Sequence, residues 1–225
     1  MKKVFFYFLL IITASAPAFA QKDAQAKAIL NPLSQKYRSY KAIKSDFSFT
    51  IISPQENMRI TQMGTLIVEP KSNKYRITLY TPGLAKPEVE EEIINDGKSQ
   101  WTYNKKDKEV QLNTADHSET AFNPAQLFTI YEHGYKYLYT GEQKEDGKIY
   151  QVIDLTPESD KIQFFKIRLN IDKAKKLIYS ALIFDKSGSK YHYILRTFTP
   201  DPTVTADTFS FDVKSHPGVE LVDLR

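Results

Sequence analysis

The chain has 225 residues, 41% of them hydrophobic and 13% aromatic, with no cysteine and a formal charge of +4 at pH 7. A chain of this length buries one substantial core, and the missing cysteines exclude a disulfide framework as its support. Charges of both signs are interspersed, and without Lys2 and Lys3 the balance falls from +4 to +2, which leaves no electrostatic footprint for nucleic acid.

Taken in chain order, Lys2 and Lys3 precede an apolar run, Val4 to Ile12, and then the small-x-small site Ala18-Phe19-Ala20. That pattern predicts a signal peptide over residues 1–20, cleaved near Ala20, and a single mature domain over 21–225. The run is too short to span a bilayer. Bacterial lipid attachment uses a cysteine directly after the cleavage site; Gln21 stands there, so the mature chain is expected to diffuse freely.

Residues 23–44 carry a helical pattern in which Ile29, Leu33, Tyr37 and Tyr40 share a face, with Pro32 expected to kink or restart the helix. After Ser45 the period becomes two. Phe47, Phe49 and Ile51 alternate with polar residues, and strands follow at Ile60–Glu69, Tyr75–Tyr80 and around Ile93-Ile94. Asp96-Gly97 signals a tight turn into Ser99–Asn104, which carries Trp101, the single tryptophan. A three-residue loop there sets Ile93 on the Trp101 face, a two-residue loop Ile94, and the sequence leaves the register open. The run Glu88–Glu92 reads as a solvated strand edge. Val110–Asn113 continues the series. Asn123-Pro124 then starts a short helix with Leu127, Phe128, Ile130 and Tyr131 on its apolar side. A meander follows through Tyr135–Glu142, Lys148–Leu155, Ile162–Ile171, Leu177–Asp185 and Lys190–Thr199. About eleven strands at regular spacing predict a mainly β (α+β) domain, one large curved antiparallel sheet whose concave face is covered by two amphipathic helices.

The sequence carries no sign of catalysis or cofactor chemistry. It has no nucleophile elbow and no phosphate-binding glycine loop, and His117, His133, His192 and His216 are scattered with no second histidine at i+4. The stripes Phe47/Phe49/Ile51, Phe164/Lys166/Arg168 and Leu182/Phe184 read as sheet core. Such a sheet either packs solid beneath its helices or encloses an apolar cavity, and the pattern alone supports both.

Several stretches, in order, resemble one family. Ile93-Ile94-Asn95-Asp96-Gly97-Lys98-Ser99-Gln100-Trp101-Thr102-Tyr103-Asn104 resembles a hairpin of the LolA family of periplasmic outer-membrane lipoprotein carriers. Ala206-Asp207-Thr208-Phe209-Ser210-Phe211 and Pro217-Gly218-Val219-Glu220-Leu221-Val222-Asp223 are similar to its terminal motifs. Ser45–Thr50 and Gly64-Thr65-Leu66-Ile67-Val68 also fit. The resemblance implies an unclosed β-barrel of about eleven strands with a helical lid over an apolar cavity. It implies no enzyme, no cofactor and no metal, but a monomer in the periplasm of a Gram-negative-type bacterium. Its implied partners are lipidated outer-membrane lipoproteins, an inner-membrane ABC exporter and an outer-membrane acceptor of LolB type. The acyl-chain wall expected on this basis is Phe47, Phe49, Leu66, Val68, Ile77, Leu79, Trp101 and Tyr103, and the lid Ile29, Leu33, Leu127 and Phe128. A lipid-sensing envelope-stress module on the same fold is the alternative. One departure stands out: the family's Lys-Arg-Pro, whose arginine holds the lid, is replaced by Glu69-Pro70-Lys71-Ser72-Asn73-Lys74, leaving Lys71 or Arg76 as substitutes.

Overall fold

The computed structural model describes residues 23–84, 86–115, 124–132 and 134–225. The expected leader, Gln21, His117, the Asn123 cap and His133 lie outside the described residues. Helix α1 spans Ala24–Ser39 and starts at Asp23, whose carboxylate accepts from the N–H groups of Gln25 (2.7 Å) and Ala26 (3.0 Å). Pro32 sits inside the helix, which runs through it. The helix stops short of the expected residue 44 because Tyr40 is already extended, and strand β1 begins at Ile43.

Thirteen strands form one sheet among the described residues. They are β1 Ile43–Ser53, β2 Met58–Glu69, β3 Lys74–Tyr80, β4 Val89–Asn95, β5 Ser99–Asn104 and β6 Glu109–Thr114. After the 3-10 turns Pro124–Phe128 and Ile130–Glu132 come β7 Tyr135–Glu145, β8 Lys148–Pro157, β9 Phe164–Asp172, β10 Leu177–Asp185, β11 Lys190–Leu195, β12 Thr199–Pro200 and β13 Glu220–Asp223. The second helical insertion is therefore 3-10 rather than α. The spatial order is β13-β6-β5-β4-β3-β2-β1-β11-β10-β9-β8-β7, with β12 beside β1. The sheet is curved and unclosed. Two short strands, β12 and β13, take the count beyond the eleven expected, and β13 pairs with β6 in parallel, the one parallel ladder described.

Registry assigns the faces, because directly paired residues share a side of the sheet. One row runs Tyr137, Leu155, Ile167, Ile183, Tyr191, Ile51 and Ile60 across β7, β8, β9, β10, β11, β1 and β2. All belong to the concave face. Beyond β4 the apolar side changes. On the concave face Ile77 and Ile93 are followed by Thr102 and Gln111, whereas on the convex face Arg76 is followed by Ile94, Trp101 and Leu112.

The hairpin that determines this change pairs Asn95 with Gln100, so four residues, Asp96 to Ser99, make its loop. Gly97 takes φ +91°, and a Cβ there would lie 3.3 Å from the Ser72 carbonyl oxygen, so glycine meets both demands. An even loop has the parity of a two-residue one, which sets Ile94, not Ile93, beside Trp101.

Candidate functional site: the lidded concave face

Helix α1 lies across the concave face with Ala26, Leu30, Leu33 and Tyr37 fully buried, at steps of four, three and four. The expected face was displaced by one residue at its start: Leu30 is buried, and Ile29 packs only partly against the core. Leu127, Phe128, Ile130 and Tyr131 of the 3-10 turns complete the cover. Beneath them lie Phe47, Leu66, Val68 and Ile77, all buried, with Phe49 and Leu79 partly buried at the margin. The same cluster takes in Ile153, Leu155, Ile167, Leu169 and Ile183 from the other half of the sheet, which the expected wall omitted although their period-two pattern was visible.

Trp101 and Tyr103 do not belong to this surface. They sit on the convex side in a second cluster with Ile94, Val110 and Phe211, where the chain's last segment covers them. The Tyr103 ring lies 5.1 Å from Phe211, which stacks on His216 at 4.4 Å. The assignment of these two residues to the concave wall is thus corrected; hairpin parity is the reason. Arg76 is likewise turned to the convex side, where its guanidinium donates to both carboxylate oxygens of Glu92 and to the Thr208 carbonyl (3.4 Å). It anchors the C-terminal segment, not the lid, and Lys71 stays exposed. Glu92 is buried in that pairing, so the acidic run is no solvated edge. Its neighbour Glu91 is half-buried, and loss of water pushes its carboxyl pKa up.

Other contacts along α1 hold the lid. Arg38 pairs with Glu132 in a two-pronged ion pair, Nε to Oε1 at 2.8 Å and Nη2 to Oε2, and the Ser34 hydroxyl donates to the same carboxylate. Glu132 raises the Arg38 pKa. This clasp ties α1 to the second 3-10 turn around a cavity of about 240 Å³ lined by Leu30, Asn31, Ser34, Arg38, Tyr131, Glu132 and Tyr137. The Tyr37 ring meets Phe128 edge-on at 4.9 Å, and its hydroxyl accepts the Ile178 N–H at 2.8 Å. Burial raises the Tyr37 and Tyr131 phenol pKa values, so both stay neutral. Lys36 Nζ donates to the Lys175 carbonyl at 3.1 Å. Finally Asp23 docks the helix start on β7: its N–H donates to the Tyr137 carbonyl (3.2 Å) and its carboxylate accepts the Tyr139 N–H (3.3 Å). That covers part of the sheet edge that an unclosed barrel leaves open.

Among the described residues no three or more His, Asp or Glu side chains are grouped to hold a metal, and no helix is long and apolar enough to cross a membrane. The site is an apolar surface beneath a side-chain-latched lid. The sequence profile of the family described as outer membrane lipoprotein carrier protein LolA matches residues 38–212. The chain belongs to the LolA family. An outer-membrane lipoprotein carrier protein of Pasteurella multocida is similar at 29% identity over 219 residues, covering 96% of this chain and 97% of the relative. One from Haemophilus influenzae is similar at 27% over 227 residues, covering 100% and 99%. In fold, an uncharacterised conserved protein from Thermus thermophilus is similar with a TM-score of 0.56 at 11% identity, covering 88% of this chain and 99% of that one. The LolA match begins near the end of α1 and runs through Phe211, so it takes in the curved sheet from β1 to β12.

Proposed function

We propose that this LolA-family chain is a water-soluble periplasmic carrier, not an enzyme, that holds lipoprotein acyl chains between lid and concave face. It receives them from an inner-membrane ABC exporter and delivers them to an outer-membrane acceptor of LolB type. The observation that carries the reading is the composition of the space beneath the lid. Leu30, Leu33, Tyr37, Leu127 and Phe128 occupy it from above, and aliphatic and aromatic side chains of nine strands from below. What fixes the lid from outside is a handful of polar contacts, which are separable without breaking the sheet.

Burying an acyl chain contributes roughly 0.8 kcal/mol per CH₂, so a chain of about 15 carbons represents a gross ~12 kcal/mol. Such a molecule does not cross water unaided. A concave face whose lid side chains give way to acyl chains exchanges one apolar contact for another, which keeps the net change small in both directions. Transfer then proceeds from one apolar cavity to the next without hydrating the chain. Phe47, Phe49, Leu66, Val68, Ile77 and Leu79 form the wall in this reading, and Ile29, Leu33, Leu127 and Phe128 the yielding lid. Mixing the purified protein with a triacylated lipoprotein and removing aggregates by centrifugation tests it. The lipoprotein stays in the supernatant as a complex and passes to acceptor membranes. A pellet containing all the lipoprotein would overturn the reading.

A further inference from the structure

The convex face carries a row that the carrier reading does not use. Direct pairs run Lys166–Phe184, Phe184–Lys190, Lys190–Ile52 and Ile52–Arg59, so five adjacent strands present cation, apolar, cation, apolar, cation on one side. With strands about 4.8 Å apart, neighbouring cations of the row stand about 10 Å from one another. Phe165 adds a half-exposed ring beside the row, 6.0 Å from Phe184. A bulge puts it there: Phe184 pairs with Lys166 and Asp185 with Phe164, so Phe165 is skipped and turned outward while Phe164 enters the core. Lys166 Nζ lies 4.2 Å from the Phe184 ring centre and Lys190 Nζ 5.7 Å, ammonium groups held over an aromatic face. The carboxylate nearest the row is Asp154, which Arg168 engages with two hydrogen bonds and which lies 3.8 Å from Lys166. Lys190 and Arg59 form no ion pair among the described residues. Arg59 also lowers the pKa of His192 in the next row, after burial and against Glu145.

From this row we infer that the convex rim is a docking surface for an anionic lipid bilayer. Alternating ammonium groups and apolar side chains suit the headgroup boundary, where the rings enter the acyl margin and lysine stems let the charges reach phosphate. An acidic protein surface would pair with the cations but leave Phe165 and Ile52 without a counterpart. The row also lies at the same end of the strands as Ile60, Ile51 and Tyr191 on the concave side, so a docked molecule sets at the bilayer the end of its apolar face where Ile60 is exposed. Three cations with one exposed ring give weak, salt-sensitive attachment, each charge contributing about a fivefold factor.

The test uses the full chain without lipoprotein, since docking does not depend on the concave face holding acyl chains. Partition is measured by sedimentation with phosphatidylcholine vesicles, with or without a third of phosphatidylglycerol. Wild type is expected to bind the anionic vesicles, to lose binding as salt rises, and to ignore the neutral ones. The double reversal Lys190→Glu with Arg59→Glu is expected to cost at least ~25-fold. Phe165→Ser is expected to cost a few-fold with the salt dependence unchanged. Both variants alter solvent-facing side chains; melting checks their folding, and Lys190→Gln with Arg59→Gln gives the same direction at lower amplitude. Equal partition of wild type onto both vesicles, or reversal variants that bind like wild type, overturns the proposal. So does retention on poly-glutamate beads without vesicle binding, which would reassign the row to an acidic protein.

Discussion

Gly64 is the position where a single methyl group tests the packing most sharply. It pairs directly with Phe47 on the concave face, and a Cβ there would lie 2.7 Å from Phe47 Cζ, 2.9 Å from Cε1 and 2.7 Å from the Thr78 carbonyl oxygen. Ordinary contact begins near 3.4 Å, so each of these atoms must retreat by half an ångström or more. Phe47 is 2% exposed and bounded by Tyr193, and the Thr78 oxygen is backbone within the sheet. Overpacking of this kind costs about 2–3 kcal/mol, from which the lower chain entropy of alanine returns about 0.5–1. A net loss of about 2 kcal/mol is expected for Gly64→Ala, or a melting temperature lower by roughly 4–8 °C. In a double-mutant cycle with Phe47→Leu, the smaller side chain should recover the ring clash but not the carbonyl clash, a coupling of about 1 kcal/mol. Thermal and urea unfolding of the four proteins supply the numbers. A Gly64→Ala loss below ~0.5 kcal/mol, or strictly additive substitutions, would show that the Phe47 ring is not confined as described.

The lid clasp should be asymmetric. Arg38→Ala leaves a buried carboxylate without its guanidinium and is expected to cost about 1–3 kcal/mol, whereas Glu132→Ala leaves a half-exposed arginine in water and costs less than ~1 kcal/mol; unfolding curves in the opposite order would refute this. Asp23 has its pKa lowered below 3.8, first by the hydrogen bond from the Ala26 N–H. Its contribution is therefore present above the unfolded value and lost as pH falls through the folded one, so amide exchange at Ala26 and Tyr139 should accelerate there. Asp23→Asn keeps the acceptor and should abolish that pH dependence; an unchanged profile would place the titration elsewhere. Phe211→Ala should cost about 2–4 kcal/mol and shift Trp101 emission to the red while acyl binding persists. An unmoved emission spectrum, or lost acyl binding, would contradict the separate convex cluster.

Most strands were legible because a half-buried strand alternates, and that alternation identifies its two faces without naming which is inward. The assignment failed where a local count decides a global side. Trp101 and Tyr103 went to the wrong face because the Asp96–Ser99 loop has even length, and because the apolar side of the sheet changes after β4. The exposed Phe165 was invisible for the same reason: a one-residue bulge turned the Phe164/Lys166/Arg168 stripe from one face into two. On the helix, Ile29 and Leu30 are neighbours about 100° apart, and only the position of the sheet selects Leu30. The short strands β12 and β13 have too few residues to show any period. The clasp at Arg38 and Glu132 joins residues whose meeting depends on the whole fold, so spacing carried no trace of it.

The strand order has a consequence for how the molecule comes into being. β1 to β6 pair with their sequence neighbours outward in one direction, and β7 to β11 do the same from the opposite edge, so each half is assembled from short-range hairpins. The halves meet at a single long-range seam, the β1–β11 ladder from Phe47–Leu195 to Ile52–Lys190. Such a seam closes after the local contacts that precede it, because its loop-closure cost exceeds that of any hairpin in either half. The 3-10 part of the lid lies in the connection that carries the chain from one edge to the other. Assembly thus leaves this cover for the joint of two finished pieces, and neither piece depends on it for its own pairing.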